Sequence, residues 1–98
     1  MTTPTVIKWR TDEGVNSAIV FKRTQARLYL IPMVGFYPFR TIKIHRVPVA
    51  EEAWMTPMTR SNGQPYPVKR AARRFLKAHK QFGGTAVAKR TLKEIIAS

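Results

Sequence analysis

Apolar residues return at steps of three and four through the last third of the chain. Val68, Ala71, Ala72, Phe75, Leu76, His79 and Phe82 fall on one stripe, and Lys69, Arg70, Arg73, Arg74, Lys77 and Lys80 lie off it. That period is helical, and it predicts an amphipathic helix with a cationic outer face. Pro67 suits the first helical position, where its missing N–H costs nothing, and Gly83-Gly84 ends the run. Thr85 can cap a second helix in which Ala88, Leu92, Ile95 and Ile96 make the stripe and Lys89, Arg90 and Lys93 surround it. Residues 67–98 are therefore expected to form a helical hairpin.

The first half shows a different period. Thr5 to Thr11 is rich in β-branched residues and ends at the turn-forming Asp12-Glu13-Gly14, and Ser17 to Arg23 alternates about Ile19 and Phe21. Arg23-Thr24-Gln25-Ala26 predicts a tight turn into Arg27 to Ile31, which Pro32 limits because it cannot donate to a central ladder. Val34-Gly35 and Pro38 mark a further reversal, and Phe39 to Val47 alternates again, with Ile42 and Ile44 opposed to Thr41, Lys43 and His45. Residues 1–47 thus predict a meander of about four short antiparallel strands. Residues 48–66 are irregular. Val49 to Met55 can make one or two helical turns with Glu51 and Glu52 near the positive end, and Thr56 to Tyr66, with Pro57, Asn62-Gly63 and Pro65, is expected to be a loop. The fold class that follows is α+β: one domain over residues 1–98, a short antiparallel sheet packed against a C-terminal two-helix hairpin.

Charge changes the picture from fold to partner. The chain has 98 residues and a net charge of +13, of which +8 lies in residues 67–98. An imbalance of that size opposes compaction and attracts polyanions. At 44% hydrophobic the chain is too apolar for a disordered basic tail. No cysteine is present, which excludes disulfides, thiolate zinc sites and cysteine nucleophiles together. The N-terminus lacks the apolar stretch of a signal peptide, and no run approaches the ~18 apolar residues of a membrane span. A cytoplasmic protein without membrane contact is expected.

Nucleic acid, DNA ahead of RNA, is the partner this charge favours. Lys69, Arg70, Arg73, Arg74, Lys77, Lys80, Lys89, Arg90 and Lys93 are the candidate contacts, since cations at helical spacing can meet successive phosphates. A solvated helix surface is the bland reading, but six cations without an acid between Lys69 and Lys80 forgo the ion pairs that stabilise an ordinary exposed face. A helix-turn-helix would need a small residue about four positions before the turn glycines, where His79 and Lys80 stand, and a shorter first helix.

A second candidate surface is aromatic and basic: Lys8-Trp9-Arg10, Tyr29, Phe36-Tyr37-Pro38-Phe39 and Lys43 to Arg46 could stack unpaired bases. Core packing competes for the same rings, and it is the better reading for Phe21 and Phe75 than for Trp9, Tyr37 and Trp54, which sit beside polar or loop residues. Trp54, Met55 and Met58 are candidate apolar anchors for a protein partner. The acidic pairs Asp12-Glu13 and Glu51-Glu52 diverge in a strand or turn, and His45 and His79 lack a carboxylate partner nearby in sequence, so no catalytic constellation, phosphate loop, metal site or cofactor site is expected.

Two segments carry a family resemblance. Tyr66-Pro67-Val68-Lys69-Arg70-Ala71-Ala72-Arg73-Arg74-Phe75 followed by Gly83-Gly84-Thr85-Ala86-Val87-Ala88-Lys89-Arg90-Thr91-Leu92, together with Val20 to Leu28, resembles small basic proteins encoded by bacteriophages of actinobacteria, over about half the chain. The resemblance implies a phage origin and action inside a bacterial cell, and no chemistry. The expected function is phosphate-backbone binding through the C-terminal helices. The alternative is a phage inhibitor or adaptor that docks on an acidic surface of a host protein.

Overall fold

The computed structural model describes residues 3–33 and 40–98. Five antiparallel strands precede two helices: β1 (Thr5–Thr11), β2 (Gly14–Arg23), β3 (Arg27–Pro32), β4 (His45–Pro48), a 3₁₀ helix (Val49–Trp54), β5 (Met55–Pro57), α1 (Val68–Phe82) and α2 (Ala86–Ala97). The sheet order is β4-β3-β2-β1-β5, so the two edge strands are joined directly by the six residues of the 3₁₀ helix.

That connection dictates the shape of the sheet. Four steps of about 4.8 Å would separate the edges of a flat sheet by about 19 Å, whereas six residues of 3₁₀ helix reach about 12 Å. The sheet must curl. Trp9 on β1 and His45 on β4 confirm it: three strand spacings apart in a flat sheet, or about 14 Å, their rings meet edge to face with centroids 6.4 Å apart. The concave side is lined by cross-strand neighbours Ile7, Ala18 and Pro32, then Val20, Leu30 and His45. Val6, Ile19 and Ile31 form a matching row on the convex side, where Val6 meets Ala71 and Phe75 of α1 in a small cleft. Both faces of the sheet are therefore dry, and its buried residues join those of the hairpin in one apolar cluster.

The hairpin forms as its period predicts. Ala71, Ala72, Phe75 and Ala78 are buried on α1, and Ala88, Leu92 and Ile95 on α2. Ala78 rather than Phe82 completes the first stripe; Phe82, the last residue of α1, is 46% exposed. Pro67 occupies the cap, and helical geometry starts at Val68. Gly83 ends α1 at φ 86°, a conformation that a Cβ disfavours, and its N–H donates to the His79 carbonyl at 2.7 Å. Thr85 caps α2, its hydroxyl accepting from the Ala88 N–H at 3.2 Å.

Two strand expectations are corrected. The segment expected as a strand from Phe39 to Val47 is a strand only from His45, with Phe39 itself outside the described residues. Ile42 is fully buried for another reason: its backbone bridges the turn between the helices, accepting from Thr85 N–H at 2.9 Å and donating to the Gly83 carbonyl at 3.0 Å. Residues 56–66 are also not all loop. Met55–Pro57 is the fifth strand, paired with Ile7, Lys8 and Trp9, and Thr59 bridges Pro65. Pro57 lacks an N–H and so terminates an edge strand at no cost to a ladder. Among the described residues, no helix is long and apolar enough to cross a membrane.

Candidate nucleic-acid interface

All nine candidate phosphate contacts are exposed. On α1 they fall into two ridges, Lys69-Arg73-Lys77-Lys80 and Arg70-Arg74-Lys77, at the i, i+3 and i, i+4 spacings that bring side chains together. Both ridges lie away from the buried row Ala71-Phe75-Ala78. From Lys69 to Lys80 the axis advances about 16 Å, a length of duplex that carries on the order of ten phosphates on its two strands. Lys89, Arg90 and Lys93 add three cations on α2, beside the hairpin's one acid, Glu94. Among the described residues, none of the nine forms an ion pair; the Arg23–Glu52 pair is on the sheet. Arg74 donates to the Tyr66 hydroxyl at 3.1 Å, which ties its guanidinium to the chain that enters α1.

All but one of the acids lie outside the hairpin. Apart from Glu94, they are Asp12, Glu13, Glu51 and Glu52, on the β1–β2 turn and the 3₁₀ helix. Glu51 accepts from the Trp9 indole N–H at 3.2 Å, and Glu52 holds Arg23. Self-repulsion within the hairpin is thus left uncompensated, which is the condition under which a polyanion gains most by binding.

The aromatic platform expected from sequence divides. Trp9 is buried, only 6% exposed, between His45 and Glu51, and offers no stacking face. Its polar neighbours Lys8 and Arg10 point to the opposite side of the strand, which is why a ring flanked by cations can still be core. Tyr29 is half-buried and stands between two cations across the sheet, the Lys22 ammonium 5.0 Å and the Arg46 guanidinium 5.9 Å from its centroid. Phe36, Tyr37 and Phe39 lie outside the described residues. The partner anchors divide as well: Met55 and Met58 pack against the core, and Trp54 alone is exposed, at 57%.

The fold perturbs the titration of His45. Burial, and secondarily the charge of Lys43, lower its pKa from the usual histidine value. No group of three His, Asp or Glu side chains among the described residues is placed to hold a metal ion. Comparison with known proteins returns no match to a family model, a curated protein or a solved structure.

Proposed function

We propose that this protein binds nucleic acid, DNA ahead of RNA, by laying the cationic ridges of α1 and the adjoining cations of α2 along the phosphate backbone. The observation that carries this reading is the segregation of charge: nine exposed cations and one acid on the hairpin, without ion pairs among the described residues, against four acids on the β1–β2 turn and the 3₁₀ helix. Backbone contact of this kind carries little sequence information, so limited sequence preference is part of the proposal. The resemblance of residues 20–28, 66–75 and 83–92 to small basic phage proteins supports a phage-encoded protein acting inside a bacterial cell, without adding chemistry.

Anisotropy of a labelled duplex titrated at several salt concentrations tests it. Wild-type affinity should fall on a straight log–log plot with a slope of about −0.9 per phosphate neutralised. Replacing Arg70, Arg73, Arg74 and Lys77 together by Glu should cost about a hundredfold in affinity and flatten the slope by about three to four units. The four side chains are exposed, so the fold should persist. Absence of duplex binding near physiological salt would sink the reading. A protein that then captured an acidic protein through Trp54 would favour the docking alternative, which rests on that one exposed indole.

A further inference from the structure

Trp54 occupies a position that the hairpin reading does not use. It ends the 3₁₀ helix, none of whose residues is buried, and its indole projects beside a shallow cleft of ≈ 480 Å³ lined by Lys8, Arg10, Val15, Ala53 and Thr56. A cleft of that volume is in the range that holds small-molecule-sized groups. Lys8 and Arg10 stand two residues apart on β1, on the same side and about 6.7 Å from one another along the strand. Val15 of β2, paired with Arg10, is itself 51% exposed and adds an apolar side chain to the lining. A second cleft, which shares Arg10 and Trp54 with the first, is lined also by Trp9, Asp12, Glu13 and Glu51. Lys8 and Arg10 thus line the first cleft without an acid, whereas in the second Arg10 is outnumbered by three carboxylates.

We infer that this is a stacking site for an unpaired nucleotide of single-stranded DNA, with the base on the exposed face of Trp54 and its phosphate on Lys8 and Arg10. An exposed indole gives a stacking surface that every base can use, and flanking cations hold the backbone. The carboxylates of Asp12, Glu13 and Glu51 disfavour phosphate in the second cleft, which leaves the Lys8 side of Arg10 as the path of the strand. A paired base has no free face to offer Trp54, so this contact selects single strand, whereas the ridges of α1 meet phosphates of any duplex. The inference rests on the nucleic-acid reading and adds to it a separate surface, on the sheet, with a different preference.

The test compares a twelve-residue oligo-dT with a duplex of mixed sequence, for the wild type, Trp54→Ala, Trp54→Phe, Lys8→Glu with Arg10→Glu, and the four-residue helix variant. Trp54→Ala should weaken oligo-dT binding by about tenfold and leave duplex affinity within about twofold, and Trp54→Phe should restore part of the loss. The Lys8/Arg10 variant should lose oligo-dT binding to a larger extent than duplex binding. Trp54→Ala protein that binds oligo-dT as the wild type does, or that loses both ligands equally, overturns the stacking site, and the helix variant's loss of duplex then leaves the hairpin reading standing. Should the helix variant instead hold duplex as tightly as the wild type, the hairpin reading fails and the oligo-dT result alone judges Trp54. A wild-type protein that binds neither ligand overturns both.

Discussion

The hairpin and the sheet expose charge by different geometry. On α1 the dry and the charged residues are sorted by angle: one side of the cylinder carries Ala71, Phe75 and Ala78, the other Lys69, Arg73, Lys77 and Lys80 along its whole length. On the sheet both faces are dry, because it curls around Trp9, Val20 and Leu30 and packs Val6, Ile19 and Ile31 under the helices. Charge reaches the convex face where cover ends along the strands, at Lys8 and Arg10 beyond Val6 and at Lys22 and Arg46 on either side of Tyr29. A helix can thus present a long uniform track and a curled sheet a short local cleft, which suits the backbone contact proposed for the one and the single-nucleotide contact proposed for the other.

The two regions nevertheless share one core, and the two tryptophans measure how much each position matters to it. Trp9→Ala should destabilise by about 4 kcal/mol, since the ring is buried and its indole N–H holds Glu51. Trp54→Ala should change stability by less than about 0.5 kcal/mol. Denaturant melts followed at once by far-UV circular dichroism and tryptophan fluorescence give both numbers. With Trp9 removed, helical signal and sheet signal should vanish at one midpoint, because the apolar cluster is continuous from β1 to α2. A hairpin that outlasted the sheet would break the account of a single core.

Gly84→Ala tests the seam itself and should cost about 2 kcal/mol, a fall in melting temperature of about 10 °C for a domain of this size. A Cβ there would lie 2.6 Å from His79 Cδ2 and closer still to the Ile42 carbonyl. Neither neighbour can give way cheaply. The His79 Nε2–H donates to the Thr85 carbonyl at 3.2 Å, and Ile42 is held on both sides by the backbone of Gly83 and Thr85. Calorimetry of the variant that returned the wild-type midpoint would show that the Ile42 bridge contributes little to joining the regions.

This seam also marks where local pattern stops being informative. The helices were legible because their period, the Thr85 cap and the Gly83 terminator are all properties of neighbouring residues. Ile42 and Ile44 alternate with polar residues as a strand would, yet Ile42 is buried by a turn forty residues later in the chain. Met55–Pro57 is too short for any period, and it becomes a strand because β1 has a free edge beside it. Trp9 sits between Lys8 and Arg10 and reads from sequence no differently from an exposed ring, and only closure of the sheet puts His45 against it. The cations of the hairpin stand out in the sequence as a candidate site, whereas the cleft of Lys8, Arg10 and Trp54 requires β1 and the 3₁₀ helix to be brought together.

The smallest effect concerns the interior of the sheet and is a dependence on pH. Burial and Lys43 make protonated His45 unfavourable in the folded protein, so its folded pKa lies below the unfolded value of about 6.5. The unfolded chain then binds more protons in that interval, and stability must rise with pH across it. The contribution is fully present above about pH 6.5 and is lost as pH falls through the folded-state value. Urea melts at steps between pH 5 and pH 8 should therefore show a midpoint that declines on acidification, and His45→Gln should flatten the decline. A decline of unchanged steepness in the variant would remove His45 from the balance. A flattened one would show that closure of the sheet, by bringing β4 against Trp9, also sets the charge state of its interior.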